Sequence, residues 1–168
     1  MAQRWPRGRD DGLTEAVVQH RIRAAYAAVR ITVNDLSQGR PTRQPMGLPD
    51  LLCWHTESQV VFFVEVKRPY IRGVQRQGLR SWEQAEWHRD AQAAGIHVAT
   101  VDSCELALAY AAYLGVPLPA GAFRQLYDPA QEARFIDPHA QPRLLQPRRG
   151  RSQARGPAFP QFAQEIDA

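Results

Sequence analysis

The spacing of apolar side chains predicts seven helices and strands between residues 14 and 115. Three segments repeat apolar residues at helical spacing, and four shorter ones are rich in β-branched and aromatic residues. In chain order these are a helix over 14–29, a strand over 30–34, strands over 50–54 and 60–67, a helix over 79–94, a strand over 96–101 and a helix over 103–115. The periodicity ends after residue 116, so the regular fold is expected to end there.

Five polar residues, 55–59, join the second and third predicted strands and predict a hairpin. Pairing about the centre of that turn places Asp50 opposite Val64 or Glu65. Because side chains alternate along a strand, Glu65 and Lys67 share one face with Asp50. Two carboxylates and an ammonium at the end of an apolar strand are costly unless they act together. The arrangement favours a site for a hard cation such as Mg²⁺, used for metal-assisted phosphodiester hydrolysis.

Lys67 is the only lysine in a chain that has 20 arginines. Arginine is a planar fork that keeps its proton, whereas lysine is a compact ammonium that can contact a water molecule. One lysine among 21 cationic residues is also compatible with chance, so the case for a catalytic role depends on the residues around Lys67. The structural alternatives are an Asx turn at Asp50 and a salt bridge between Glu65 and Lys67 on a solvated face.

Composition and charge are those of a soluble globular protein, and they narrow the classes of function only slightly. The net charge of +4 permits a polyanionic partner without requiring one. No apolar run reaches transmembrane length and no secretion signal is visible, so we expect a cytoplasmic protein of a bacterial or phage-infected cell with no membrane partner. Cys53 and Cys104 are isolated, and the five histidines share no ligand or nucleophile spacing, which disfavours a zinc site and a serine or cysteine hydrolase.

Three regions are predicted from these patterns. Residues 1–11 form a basic arm, residues 12–116 a single domain, and residues 117–168 a largely disordered tail that contains eight of the 13 prolines and a run of arginines. Five arginines in loops within the domain are suited to contacting phosphates: Arg40, Arg43, Arg68, Arg72 and Arg76.

The element order and three motifs resemble the VRR-Nuc (viral replication and repair nuclease) domain of the PD-(D/E)xK nuclease superfamily, in its stand-alone phage or bacterial form. The motifs are Gly47-Leu48-Pro49-Asp50-Leu51, Val64-Glu65-Val66-Lys67-Arg68-Pro69 and Gln84-Ala85-Glu86-Trp87. The resemblance covers residues 12–116. It implies an α/β fold with a restriction-endonuclease-like core: a mixed sheet flanked by helices, in the order αβββαβ with an added C-terminal helix.

The resemblance also implies a role for each site residue. Asp50 and Glu65 would be the metal ligands, completed by the Val66 carbonyl, with Mg²⁺ as the cofactor and Mn²⁺ as a substitute. Lys67 would position the attacking water and stabilise charge on the phosphate. Gln84 would reach the same centre from the crossover helix. Glu15 would order this metal or a second one, whereas its position alone indicates only a first-turn carboxylate that suits the helix dipole.

The expected function is a Mg²⁺-dependent DNA endonuclease. By its resemblance to Holliday-junction resolvases, it is expected to be a homodimer that acts on branched DNA in replication, recombination or repair. Two alternatives stay open from the sequence: a restriction-type nuclease that reads a short sequence, and a non-catalytic nucleic-acid-binding module of the same fold.

Overall fold

The computed structural model describes residues 13–37, 47–120 and 125–140. Within them the helices are α1 (Glu15–Ala28), α2 (Trp82–Ala93) and α3 (Cys104–Tyr113), followed by a 3₁₀ helix (Pro129–Phe135). The strands are β1 (Thr32–Asp35), β2 (Leu51–His55), β3 (Val60–Val66) and β4 (His97–Val101). None of the helices described is long and apolar enough to cross a membrane.

The four strands form one sheet in the order β1-β2-β3-β4. β1 and β2 pair antiparallel, β2 and β3 form the expected antiparallel hairpin, and β4 lies parallel to β3 because α2 makes the crossover between them. The helices lie against this mixed sheet in the order αβββαβ, with α3 added after β4. The fold class expected from the sequence is therefore confirmed.

The hydrophobic core lies between the sheet and the pair α1 and α3. Val64 and Val66 of β3 point into this core and are almost completely buried. Phe62 packs edge-on against Tyr26 of α1 and Tyr110 of α3, with ring centroids 5.8 and 5.7 Å apart. Because β3 turns its alternate residues into this core, the residues between them must face α2.

Helix α2 covers the opposite face, where Phe63 packs edge-on against Trp87. The helix begins at Trp82, three residues later than expected, because Ser81 is its N-cap and forms a capping box with Gln84. It ends as expected before Gly95, whose φ of +77° suits a residue without a side chain.

The hydrophobic core also receives a residue from beyond residue 116, the predicted end of the domain. Phe135 of the 3₁₀ helix is fully buried in the core, and its carbonyl accepts a hydrogen bond from the Arg80 N–H at 2.8 Å. A short 3₁₀ helix has no extended apolar period, so its contribution to the core is not visible in the sequence. The predicted arm, residues 1–11, and residues 141–168 of the predicted tail lie outside the described residues.

Candidate active site

The candidate site lies at the carboxyl end of β3, on the face that α2 covers. Leu51 pairs with Val64, so Asp50, one residue earlier, stands opposite Glu65 as the hairpin geometry predicts. Asp50 Oδ2 accepts a hydrogen bond from the Val66 N–H at 2.8 Å. This bond holds the Asp50 carboxylate against the strand end that carries Glu65 and Lys67.

Glycine at position 47 allows the Asp50 loop to approach α2. Gly47 has a φ of +91°, and a Cβ built there would collide with the backbone carbonyl of Glu83 in the first turn of α2. A side chain would therefore push the loop away from the helix. Gly47 of the first motif thus lets the segment that leads to Asp50 lie against the helix that carries Gln84.

The two oxygens of Glu65 have different surroundings. Oε1 accepts two charge-assisted hydrogen bonds, from Lys67 Nζ at 2.7 Å and from Gln84 Nε2 at 2.5 Å. Oε2 is buried and has no partner among the described residues. Glu65 is fully buried and Lys67 is 6% exposed, so the alternative of a solvated salt bridge is not what the structure shows.

The capping box of α2 orients the amide of Gln84. Its Oε1 accepts from the Ser81 N–H at 2.9 Å, while the Gln84 N–H donates to Ser81 Oγ. The amide Nε2 is then left to donate to Glu65. Gln84 therefore ties the start of α2 to the Glu65 carboxylate, and its catalytic role remains a prediction.

Both carboxyl groups have a raised pKa. Burial raises the pKa of Glu65 to about 8, the nearby charge of Asp50 adds to this, and Lys67 opposes it. Burial also raises the pKa of Asp50, against the lowering effects of the Val66 N–H and Lys67. The charge of Asp50 therefore makes Glu65 harder to ionise, and a cation between the two carboxylates would remove this cost.

The donor set fits a hard divalent cation. The unpartnered Oε2 of Glu65 and the nearby carboxylate of Asp50 are the oxygen ligands that Mg²⁺ prefers, and Mg²⁺ commonly keeps several waters beside one or two carboxylates. Within the described ranges, no group of three or more His, Cys, Asp and Glu side chains is suited to hold a metal. Coordination by the Val66 carbonyl remains a prediction.

Glu15 lies at the edge of the site rather than inside it. It is exposed in the first turn of α1, and its charge raises the pKa of both Asp50 and Glu65. Its Oε1 would lie 3.1 Å from a Cβ built at Gly78, beside the backbone of Arg68. Together these residues line an open cavity of about 390 Å³. The structure thus brings Glu15 near the two carboxylates, and its role in metal binding remains a prediction.

The segment after Lys67 presents Arg68, Arg72 and Arg76 to solvent, and all three are exposed. Two glutamine amides hold this loop in place: Gln75 donates to the Leu13 and Pro69 carbonyls, and Gln77 donates to the Arg68 carbonyl. The arginines are therefore carried on an ordered loop next to the site. Arg40 and Arg43 lie outside the described residues.

Three buried residues beside the site were missed by the sequence analysis: Arg80, His88 and Glu132. Arg80 Nη1 lies 2.9 Å from His88 Nδ1 and 3.4 Å from Glu132 Oε2. The one available signal was the position of His88, four residues after Gln84 and so on the same face of α2. Glu132 gave no signal, because it lies in the segment expected to be disordered.

Fold and site together define a mixed α/β domain with the PD-(D/E)xK arrangement, two carboxylates and a lysine at the end of a hairpin strand. A solved structure described as a VRR_NUC domain is similar to this chain, with 27% identity over 56% of this chain and 91% of that one, and a TM-score of 0.41. That description names the family whose motifs the sequence resembles. No protein-family model and no curated protein matches the chain.

The raised pKa of Glu65 predicts the pH dependence of stability in the metal-free protein. Between pH 4.5, the ordinary pKa of a glutamate, and about pH 8, Glu65 holds a proton in the folded state that it has lost in the unfolded state. This group's contribution to the free energy of unfolding is complete below pH 4.5 and is lost as the pH rises through about 8, by at most about 1.4 kcal/mol per pH unit.

Urea denaturation across this pH range measures the effect, with Glu65→Gln as the control that lacks the titrating group. Added Mg²⁺ should offset the loss in the wild type only, because it binds the folded, ionised form. Identical pH profiles for the wild type and Glu65→Gln would contradict the prediction.

Proposed function

We propose that this chain is a Mg²⁺-dependent DNA endonuclease that hydrolyses phosphodiester bonds. The observation that carries the proposal is the Glu65 carboxylate, buried, with Oε1 bonded to Lys67 and Gln84 and Oε2 without a partner. A buried carboxylate oxygen with no partner is costly, and a cation shared with Asp50 would supply the missing interaction.

Each site residue has a distinct task in this proposal. Asp50, fixed by the Val66 N–H, and Glu65, fixed by Gln84, would hold the cation. When bound, Mg²⁺ would stabilise charge on a phosphoryl oxygen and make water a stronger nucleophile. Glu65 uses one of the three N–H donors of Lys67, so two are left to orient a water molecule or contact the phosphate.

The ordered basic loop supports a polyanionic substrate. Arg68, Arg72 and Arg76 follow Lys67 directly, where they would contact phosphates on either side of the reacting bond. From the motif resemblance we propose branched DNA as the substrate, a homodimer as the active form and the cytoplasm of a bacterial or phage-infected cell as its location. A non-catalytic DNA-binding module would gain nothing from the buried Glu65 and the half-buried Asp50, because both carboxylates repel phosphate.

The test is a cleavage assay on four-way junction, flap, single-stranded and duplex DNA of equal length, with Mg²⁺, Mn²⁺ or EDTA. We expect metal-dependent cuts at symmetric positions in the junction and little cleavage of the duplex. Cuts at one short sequence in every duplex would favour a restriction-type enzyme. Binding without cleavage at any metal concentration would favour the non-catalytic module, and cleavage in EDTA would exclude the proposed mechanism.

Replacing Arg72 and Arg76 by Gln is expected to weaken DNA binding, because two phosphate contacts are lost. The slope of log K against log salt concentration should become shallower by about 1–2. The matched control is the double change of Arg30 and Arg89 to Gln. Both of these are exposed arginines outside the basic loop, paired with Glu57 and with Glu86 and Asp90 respectively. Equal salt slopes for the two double variants, measured by fluorescence anisotropy, would show that the loop does not bind the backbone.

A further inference from the structure

A second group of buried polar side chains lies beside the candidate active site. Arg80, His88, Thr100 and Glu132 are all at least nine-tenths buried. Glu132 comes from the 3₁₀ helix, which lies outside the region that the nuclease motifs cover. The group thus links the C-terminal part of the domain to α2 and β4.

Glu132 lies at the centre of this group. Its Oε2 accepts from Arg80 Nη1 at 3.4 Å, and its Oε1 accepts from the Thr100 N–H at 3.4 Å and from the Tyr127 hydroxyl at 2.5 Å. Arg80 Nη1 also lies 2.9 Å from His88 Nδ1. Arginine can only donate, so Nδ1 must be the acceptor and the neutral ring carries its hydrogen on Nε2. Burial and the charge of Arg80 lower the pKa of His88 to about 3, which keeps the ring neutral.

The same residues reach the elements that hold Glu65. Arg80 directly precedes Ser81, the N-cap whose capping box orients Gln84, and its N–H is bonded to the Phe135 carbonyl. His88 lies one turn after Gln84 on the same face of α2. Thr100 is the partner of Glu65 across the β3–β4 ladder, so both side chains are on the face beneath α2.

Stability alone does not account for this group. Within the described part of the chain, Arg80 Nε, His88 Nε2 and Thr100 Oγ1 are buried without a hydrogen-bond partner. Unpartnered buried polar atoms cost free energy, and well-packed apolar side chains often replace a buried ionic group at no loss. Such groups are retained where orientation matters more than stability, as around metal ligands.

We propose that Glu132 is a positioning residue: through Arg80 and His88 it fixes the start of α2, and so holds Gln84 on Glu65 in the geometry that binds the cation. The effect on metal binding rests on the proposed function. The effect on the contact between Gln84 and Glu65 does not. The 3₁₀ helix would then be part of the active site rather than of a tail.

The test compares Glu132→Gln with Tyr26→Phe. Glu132→Gln keeps the size of the side chain and removes its charge from Arg80. Tyr26→Phe removes a different buried hydrogen bond, from the Tyr26 hydroxyl to the Ala107 carbonyl on the other face of the sheet. Three quantities are measured on the full chain: the melting temperature, the affinity for Mn²⁺ by calorimetry without DNA, and the protection of the Gln84 side-chain amide from hydrogen exchange by NMR.

We expect Glu132→Gln to weaken Mn²⁺ binding by about 10–100-fold and to expose the Gln84 amide to exchange. Tyr26→Phe should lower the melting temperature but leave the other two quantities unchanged. If Glu132→Gln does not fold, Tyr127→Phe removes one bond to Glu132 and should shift both quantities in the same direction.

Unchanged Mn²⁺ affinity together with an unchanged Gln84 amide in the Glu132 variant would overturn the proposal, while the proposed function would stand. If the wild type binds no Mn²⁺, the proposed function fails instead, and the amide alone decides: lost protection in Glu132→Gln supports positioning, and retained protection overturns it.

Discussion

Replacing Lys67 by Ala is expected to abolish cleavage while leaving DNA binding nearly intact. Lys67 donates to Glu65 at 2.7 Å and lies next to the two carboxylates, whereas the exposed arginines of the following loop would carry the contacts to the DNA backbone. Loss of one preorganised donor that stabilises developing charge lowers rates by about 10²–10³-fold. Single-turnover cleavage and anisotropy titrations without metal measure the two effects separately.

Two further variants separate charge from shape at this position. Lys67→Met keeps most of the volume without the charge, and should be as inactive as Lys67→Ala without the cavity that alanine leaves. Lys67→Arg keeps the charge but places a planar fork where the site holds a compact ammonium, so it too should lose activity. Wild-type cleavage rates in Lys67→Arg would show that the site does not require a lysine at this position.

Asp50→Asn is expected to remove metal-dependent activity and to stabilise the metal-free protein. Asparagine can still accept the hydrogen bond from the Val66 N–H, so the hairpin end should keep its shape. The cation loses one of two charged ligands, and we expect its affinity to fall by about 100-fold or more. Loss of the Asp50 charge also lowers the pKa of Glu65, and the gain in stability should be about 0.5–2 kcal/mol.

Asp35→Asn is the matched control for this change. Asp35 ends the neighbouring strand, but its oxygens already accept from Gln19, Arg23 and Ser37, so it has its own partners. Calorimetry with Mn²⁺ and thermal denaturation should show no loss of metal affinity in this variant. Equal metal affinity in the wild type and Asp50→Asn would exclude Asp50 as a ligand.

The structure changes how the C-terminal region should be studied. A truncation after residue 116 would remove Phe135 from the core and Glu132 from the buried polar group, so it would damage the domain itself. A truncation after residue 140 keeps every described contact of that segment. It is therefore the one that can separate catalysis from any electrostatic contribution of the remaining residues.

The amino-acid sequence by itself determined the hairpin and the placement of Asp50, Glu65 and Lys67 side by side at its end. These follow from rules that act over a few residues: alternation along a strand, a polar turn between two apolar runs, and pairing across the turn. The predicted starts of α1 and α3 depend on residues that are equally local, because Thr14 and Ser103 are the N-caps of these helices and their side chains accept hydrogen bonds from the Val17 and Leu106 N–H groups.

Only the tertiary structure decided how the site is buried and supported. The burial that raises the pKa of Glu65 depends on α2 packing over β3, and the bond from Gln84 joins residues 19 positions apart. The bonds of Glu132 to Thr100 and Arg80 span 32 and 52 positions. Local sequence patterns carry no information about such contacts, because their free energy arises only when distant segments have packed together.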